Sequence, residues 1–301
     1  MTESTIPRGV FAPVATVFGS DDELDLDGFR QNMDRYAGSP LDGVVLLGSN
    51  GEFPLLDEAE KLRLIEAGTA SIGGRKLVLA GTGAESTRNT IALTRRAAEL
   101  GIDYALIVTP HYYTPRYDRA AFLAHYLNVA EASPVPVIVY VMAAYTGVDL
   151  APNLIAELSL HPNIVGVKDS GGNAPKVGEM IATSSSDFGV LAGSASFLYP
   201  ALCLGATGGI LALANVAPAA CKEIECRFRE GDHDAARNQQ LRLLAANAAV
   251  TSQFGIPGLK VALDAVGLRG GRPRSPIDAL NDRDADQVRQ ILREARLDRF
   301  A

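Results

Sequence analysis

Short apolar runs alternate with amphipathic stretches along most of the chain. Eight of these runs are nearly all apolar, which is typical of parallel strands buried on both faces. We predict strands at residues 10–18, 43–47, 76–80, 104–108, 135–141, 164–167, 189–192 and 208–213. The stretches between them carry apolar residues at helical spacing. We predict helices there at residues 26–36, 57–70, 86–100, 119–132 and 153–160.

This alternation of strand and helix predicts a (β/α)8 TIM barrel. An open doubly wound sheet is the alternative, but no GxGxxG segment opens a helix after the first strand, which disfavours a dinucleotide fold. Four more helical stretches follow the last strand, at residues 217–230, 235–251, 258–266 and 282–297, and the barrel needs only one of them. We therefore expect a catalytic barrel over residues 1–225 and a C-terminal helical extension, packed on the barrel, over residues 226–301.

The amino-acid composition disfavours two classes of binding partner. Of 301 residues, 47% are hydrophobic, and 28 Lys and Arg against 35 Asp and Glu give a net charge of −7. This acidic balance disfavours nucleic acid and anionic membranes, since both attract a basic surface. Small anionic substrates remain compatible with it, because local Lys, Ser or backbone N–H groups can hold them.

Cysteine and histidine usage disfavours disulfide and metal chemistry. The chain has three cysteines without a CxxC pair, and its four histidines show no metal-ligand spacing. Residues 1–9 contain no apolar run of the kind a signal peptide needs, and the other apolar runs are too short to span a bilayer. We expect a cytoplasmic protein with no metal, no organic cofactor and no membrane partner.

The carboxyl ends of the strands carry the candidate chemistry, because that is where barrel enzymes place their active sites. Lys168 ends the sixth strand, and an amine in an apolar barrel loses hydration, which favours the nucleophilic neutral form. Tyr140, on the fifth strand, could move protons beside such an amine. A lysine that only reaches solvent and a tyrosine that only fills the core are the alternatives.

Two loops add candidates. In the loop Gly48–Glu52, glycines expose backbone N–H groups, while Ser49 and Asn50 offer polar side chains to a substrate carboxylate. An ordinary turn would use the same residue types. Tyr112 and Tyr113 follow the fourth strand, where loop packing or an interface pair is a more common role than catalysis.

Together these segments resemble the dihydrodipicolinate synthase / N-acetylneuraminate lyase family of class I pyruvate aldolases. The resemblance covers residues 9 to about 279. It rests on four motifs in the right order, which are Gly48-Ser49-Asn50-Gly51-Glu52, Val108-Thr109-Pro110 followed by Tyr112-Tyr113, Tyr140, and Val165-Gly166-Val167-Lys168-Asp169.

The resemblance implies roles for these residues. Lys168 corresponds to the imine-forming lysine and Tyr140 to the proton-shuttling tyrosine. Ser49 and Tyr112 match the rest of a hydroxyl relay, and in the family the Tyr112 position is often donated by the neighbouring subunit of a dimer, usually within a tetramer. The family's pocket places further substrate contacts at Asn50, Gly51, Ile210, Gly193 and Tyr145. A homodimer or homotetramer without a cofactor is therefore expected.

Two departures from the family's motifs and several matching segments indicate which compound reacts together with pyruvate. Many members have Tyr-Asn-x-Pro on the fifth strand, where this chain has Tyr140-Val141-Met142-Ala143, and dihydrodipicolinate synthases place an arginine where Tyr145 stands. Within the family, the segments 48–54, 161–166, 169–172, 211–216 and 254–260 are most similar to 4-hydroxy-2-oxoglutarate aldolase.

The expected function is therefore a Schiff-base lyase that cleaves 4-hydroxy-2-oxoglutarate to pyruvate and glyoxylate. Dihydrodipicolinate synthesis from pyruvate and aspartate semialdehyde, or another 2-oxo acid aldolase or dehydratase reaction, is the alternative on the same imine. A non-catalytic protein that binds 2-oxo acids is a further alternative. The partners expected are a small 2-oxo acid and an aldehyde.

Overall fold

Eight parallel strands close into a barrel in chain order, with β8 pairing back to β1. The computed structural model describes residues 6–297 and 299–300. The strands are β1 (Gly9–Pro13), β2 (Gly43–Leu46), β3 (Leu77–Gly81), β4 (Tyr104–Val108), β5 (Val137–Val141), β6 (Ile164–Asp169), β7 (Gly189–Ala192) and β8 (Gly208–Ile210). The closed barrel confirms the predicted fold class and excludes the open sheet.

Each strand is followed by at least one helix on the outside of the barrel. The helices up to the last strand are α1 (Leu26–Ala37), α2 (Glu58–Ile72), α3 (Thr87–Glu99), α4 (Arg119–Ala132), α5 (Ala143–Thr146), α6 (Pro152–Leu158), α7 (Ala174–Thr183) and α8 (Leu198–Leu204). After β8 come α9 (Pro218–Arg229), α10 (His233–Ala248), a π-helical turn (Ala249–Gln253), α11 (Gly255–Ala265) and α12 (Asp282–Glu294). Several begin at polar N-cap residues, as where Asp57 and Glu60 form a capping box on α2.

The structure differs from the sequence prediction at three helices and, most clearly, at two strand ends. Helices α5, α7 and α8 were not predicted, because α5 has only four residues, α7 carries a Pro and a Gly that disfavour a helix, and α8 is almost entirely apolar and lacks a polar face. The first strand ends at Pro13 although the apolar run continues to residue 18, and β8 ends at Ile210. Beyond Pro13 the run is buried beneath the C-terminal segment, where Lys260 lies over the Phe18 ring, so burial outlasts the strand.

The side chains of the strands pack into two separate hydrophobic cores. One core lies between barrel and helices, and the other fills the barrel. The barrel interior contains Phe11, Val45, Leu79, Tyr104, Leu106, Val108, Ile138, Tyr140, Val165, Leu191 and Ile210. Lys168 pairs in register with Tyr140 on one side and Leu191 on the other. Registered neighbours share a face, so Lys168 points into the barrel with them.

The helices α10, α11 and α12 pack beyond the eighth barrel helix α9. Helix α9 runs through the expected boundary between residues 225 and 226, and the division into barrel and extension stays a prediction. Residues 1–5, 298 and 301 lie outside the described residues. They include the predicted start of the barrel domain, the predicted end of the extension, and most of residues 1–9, from which the cytoplasmic location was predicted. None of the described helices combines the length and the apolar character needed to cross a membrane.

Candidate active site

A cavity of about 560 Å³ opens at the carboxyl ends of the strands. Strand ends and their loops form one wall, and α10, the π-helical turn and the start of α11 form the other. Seven of the predicted site residues line it, namely Ser49, Asn50, Tyr140, Tyr145, Lys168, Gly193 and Ile210. Among the lining residues that the structure describes, Lys168 is the only Lys, Arg, His, Asp or Glu.

Lys168 and Tyr140 meet in the floor of this cavity. Lys168 is 3% exposed and Tyr140 4%. The Lys168 Nζ lies 4.0 Å from the centroid of the Tyr140 ring, as their register across β5 and β6 requires. Within the described residues, no carboxylate forms an ion pair with Lys168. The amine therefore faces a nearly apolar floor with a phenol as its neighbour.

Ser49 completes a short chain of hydroxyl groups. Its Oγ lies 3.1 Å from the Tyr140 hydroxyl, and either atom can donate the hydrogen bond. Ser49 belongs to a short 3-10 turn (Ser49–Gly51) that directly follows β2. The pair gives a path by which a proton can move between the cavity floor and the loop.

A buried ion pair holds this loop from behind. Glu52 adopts a left-handed backbone (φ 54°), is 1% exposed, and places its carboxylate 3.0 Å from the Lys260 Nζ. Lys260 also donates to the carbonyls of Thr16 and Arg272 (2.8 and 2.7 Å), and burial lowers its pKa despite the carboxylate partner. A residue of α11 thus supports the loop that carries Ser49.

A second ion pair lies outside the barrel directly behind Lys168. The next residue, Asp169, points outward and its carboxylate accepts a hydrogen bond from the Lys176 Nζ (2.6 Å). Lys176, on α7, also pairs with Asp149 from the loop after β5. Burial lowers and the two carboxylates raise the pKa of Lys176, with a net rise, so the cation persists. This link ties together the ends of β5 and β6.

Glycine at position 193 is required by the close approach of the β6 and β7 ends. A Cβ atom there would lie 2.1 Å from the Ser170 Oγ and 2.7 Å from the Asp169 carbonyl oxygen. The Gly193 N–H donates to that carbonyl (2.7 Å). Any side chain would push the strand ends apart beside Lys168.

Tyr145 stands at the mouth of the cavity and is 60% exposed. Partial burial raises the pKa of Tyr145, and the nearby Tyr140 adds to the shift. The phenol therefore offers a neutral hydrogen-bond donor where an arginine would have offered a charge.

Two predicted site residues lie outside this cavity. Tyr112 is 75% exposed and packs edge-to-face on Tyr113, with ring centroids 5.0 Å apart. Gly51 lies behind the wall, where its carbonyl accepts a hydrogen bond from the Thr16 Oγ1 (2.6 Å). Their roles, like those of the lining residues, stay predictions.

The C-terminal helices supply a wall of the cavity that was not predicted from the sequence. Asn247 and Thr251 both line the cavity, and the Asn247 Nδ2 donates to the Ser194 Oγ (3.1 Å). Ser170, also in the lining, has a buried Oγ to which the described residues offer no partner. The available signal was two polar residues four apart, hence on one face, in an alanine-rich helical stretch.

A second, mainly apolar cavity of about 400 Å³ adjoins the first. The two share Ser49, Met142, Tyr145 and Ile256, and the second also reaches His111 in the loop after β4. The site therefore extends from the strand ends toward the loop that carries Tyr112. Among the described residues, no group of three or more His, Cys, Asp or Glu side chains could hold a metal ion.

The chain matches a known family over nearly its whole length. A model described as the dihydrodipicolinate synthetase family matches residues 6–295. A 4-hydroxy-tetrahydrodipicolinate synthase from Xanthomonas axonopodis pv. citri is 37% identical over 282 residues, which are 93% of each chain. An uncharacterised DapA-like lyase from Halobacterium salinarum is 38% identical over 277 residues, 92% of this chain and 90% of the relative.

Comparison with solved structures leads to the same family. YagE of Escherichia coli K12, a prophage protein of the dihydrodipicolinic acid synthase family that was crystallised in complex with pyruvate, superimposes with a TM-score of 0.91 at 29% identity. The match covers 96% of this chain and 99% of YagE. These relatives confirm the family resemblance, while none of the three carries the name 4-hydroxy-2-oxoglutarate aldolase.

Proposed function

The chain belongs to the dihydrodipicolinate synthetase family, and on that premise we propose that Lys168 forms an imine with the ketone of pyruvate or a related 2-oxo acid. The family places the chain among lyases of the Schiff-base aldolase type. The observation that carries the proposal is the buried Lys168 amine, 4.0 Å from the centre of the Tyr140 ring at the end of a barrel strand. The pyruvate bound to YagE supports the choice of 2-oxo acid.

The proposed covalent step needs only groups in the cavity. The neutral Lys168 amine adds to C2 of the ketone, and loss of water from the resulting carbinolamine gives an iminium. The 2-oxo acid carboxylate lies in the loop at Ser49 and Asn50, whose backbone and side chains donate hydrogen bonds. Metal independence follows from this proposal, since the iminium itself withdraws electrons.

The Tyr140 hydroxyl, relayed through Ser49, moves the protons. In the cleavage direction it takes the proton of the substrate's C4 hydroxyl. The C3–C4 bond then breaks, its electron pair moves to the iminium to give an enamine, and an aldehyde leaves. Protonation at C3 and addition of water return pyruvate and the free amine. Groups held on strand ends are already oriented for each step.

The second substrate has two candidates. The names of the relatives favour the synthase reaction of pyruvate with aspartate semialdehyde over the aldolase reaction expected from the sequence. Cleavage of 4-hydroxy-2-oxoglutarate remains the second candidate because Tyr145, rather than an arginine, stands in the cavity lining. A cytoplasmic homodimer or homotetramer, in which the neighbouring subunit supplies Tyr112, belongs to the same proposal.

A panel of substrates separates these candidates. Purified protein would be assayed with pyruvate and aspartate semialdehyde, with pyruvate and sugar-derived aldehydes, and with 4-hydroxy-2-oxoglutarate alone. A kcat/KM at least about tenfold higher for one reaction identifies the second substrate, since this ratio measures discrimination. The same panel with Lys168→Met must be inactive throughout. Activity that survives this substitution would refute the proposed role of Lys168.

A further inference from the structure

We propose that Glu85 is a positioning residue that presents Tyr112 to the active site. The inference rests on the proposed function, because it assigns Glu85 to the loop that carries the expected third member of the hydroxyl relay. Glu85 lies in the loop between β3 and α3 and lines neither of the two cavities described above. Its part is therefore to hold the loop rather than to touch the substrate.

The Glu85 carboxylate gathers the donors of the loop after β4. Its Oε2 accepts hydrogen bonds from the backbone N–H groups of His111 (3.0 Å) and Tyr112 (2.9 Å). Its Oε1 lies 2.9 Å from the His111 Nδ1. The Thr109 carbonyl oxygen is a second acceptor near Nδ1 (3.3 Å), and two acceptors at this nitrogen favour the tautomer in which it carries the proton. Three donors from two consecutive residues thus converge on one carboxylate.

The segment that holds Glu85 is itself anchored. Gly83 lies against the end of β4 so closely that a Cβ atom would be 2.7 Å from the Val108 nitrogen. Thr90 accepts from the Ala84 N–H (3.0 Å) and donates to its carbonyl (3.2 Å). This approach brings Glu85 within reach of the next loop, and the Thr90 bonds keep it there.

Tyr112 needs such a support more than the other proposed relay residues do. Tyr140 is held by a strand, whereas Tyr112 is 75% exposed and its ring packs on Tyr113, which is itself 61% exposed. Within its own chain little burial determines where the phenol points, so the backbone at residues 111 and 112 sets the position from which it reaches a neighbouring subunit. Hydrogen bonds from N–H groups to a carboxylate are stronger than those between neutral groups, so this one side chain can set that backbone.

The test uses a reaction that needs pyruvate alone. Formation of the Lys168 enamine exchanges the C3 hydrogens of pyruvate with D2O, which NMR follows without any second substrate. The variants are Glu85→Ala, Glu85→Gln, Tyr112→Phe and the Glu85→Ala/Tyr112→Phe pair. Glu157→Ala is the matched control, since Glu157 is also about half-exposed (43% against 42%) and also ion-paired, but with Arg119 on the outer helices. Urea unfolding and borohydride trapping of pyruvate accompany each variant.

Glu85→Ala should slow exchange by up to about tenfold and by no more than Tyr112→Phe does, because a displacement of about 1 Å at a reacting group can remove most of its contribution. In the Tyr112→Phe background the same change should cost less than about twofold. Glu85→Gln, which keeps one acceptor oxygen, should fall between, and it replaces Glu85→Ala in the cycle if that variant unfolds. Glu157→Ala should remain within about twofold of the original rate.

Three results would overturn the inference. The first is exchange at the original rate in both Glu85 variants. The second is a double variant whose loss of exchange rate equals the product of the losses in Glu85→Ala and Tyr112→Phe, which would show that the two residues act independently. The third is exchange at the original rate in Tyr112→Phe, which removes the relay role itself. In each case trapping of pyruvate on Lys168 keeps the proposed function intact, whereas failure to trap pyruvate in the original protein rejects that function instead.

Discussion

The end of strands β5 and β6 and the loop after β4 contribute to the same mouth of the barrel in opposite ways. Tyr140 and Lys168 are 4% and 3% exposed, and their relative position is set by strand register. Tyr112 is 75% exposed, and its position is set by hydrogen bonds to Glu85, a residue from a different loop. The first region is complete within one chain. In the second, the Tyr112 side chain is largely exposed, which is compatible with the proposed contact to a neighbouring subunit.

This comparison indicates that the cavity floor and the Ser49 loop are preorganised within the single chain. Ion pairs behind the strand ends, Asp169 with Lys176 and Glu52 with Lys260, hold the cavity floor and the Ser49 loop through contacts that are buried in this one chain. We therefore expect imine formation to be a property of the single chain. Proton transfer through Tyr112 should depend on association of two chains.

The largest effect is expected at the strand ends themselves. Tyr140→Phe removes the hydroxyl 3.1 Å from Ser49 and should lower kcat by about 10²- to 10³-fold, the range of a lost acid–base group. Steady-state kinetics on the best substrate of the panel measure it. Tyr126→Phe is the control, since Tyr126 is equally buried and its hydroxyl donates only to the Ile107 carbonyl. Comparable losses in both variants would contradict a chemical role for Tyr140.

The packing beneath the loop region should show a pH dependence of stability. His125 joins α4 to the start of α3 through Thr87 (2.9 Å), and burial lowers the pKa of His125 to about 4 although Glu85 opposes the shift. Between its ordinary value of 6.5 and about 4, the unfolded chain binds a proton that the folded chain does not. Stability therefore falls as pH falls through this window, by about 3 kcal/mol in total from this group.

Urea unfolding at pH 7, 5.5 and 4.5 measures this loss. His125→Asn should flatten the dependence in this window, while His161→Gln, at a more exposed histidine paired with Glu131, should leave it in place. If the pH dependence of stability is unchanged in His125→Asn, other groups cause it and the account of His125 is contradicted.

The smallest effect is expected at the loop, and its pattern is more informative than its size. Tyr112→Phe should lower kcat by about tenfold, below the range of about 10²- to 10⁴-fold for a group that transfers the proton directly, because Tyr112 acts through the relay. If the neighbouring chain supplies Tyr112, a mixed dimer of Lys168→Met and Tyr112→Phe chains contains one intact site. After subunit exchange, the activity of the mixture should exceed the sum of its parts. Activity that equals the sum would place Tyr112 in its own chain's site.

The sequence was sufficient for the parts that local patterns determine. The barrel follows from eight apolar runs, and Lys168 and Tyr140 follow from their positions at strand ends that alternate inward and outward. Helix α8 was missed because it is short and lacks a polar face, and α7 was missed because it carries a Pro and a Gly.

Long-range contacts lay beyond those patterns. The Glu52–Lys260 pair joins residues more than 200 positions apart, and the wall at Asn247 depends on how the C-terminal helices dock. No periodicity encodes either of them. The second substrate is open for the same reason, because loops and docked helices shape that end of the cavity.

Trapping of the imine tests the central claim most directly. The protein would be treated with pyruvate and borohydride, digested and examined by mass spectrometry, beside Lys168→Met and Lys61→Met. Lys61 is the control because burial lowers its pKa, which makes it a competing amine. We predict one reduced pyruvate on the peptide that contains Lys168, retained in Lys61→Met and lost in Lys168→Met. No adduct, or an adduct that survives Lys168→Met, would contradict the account.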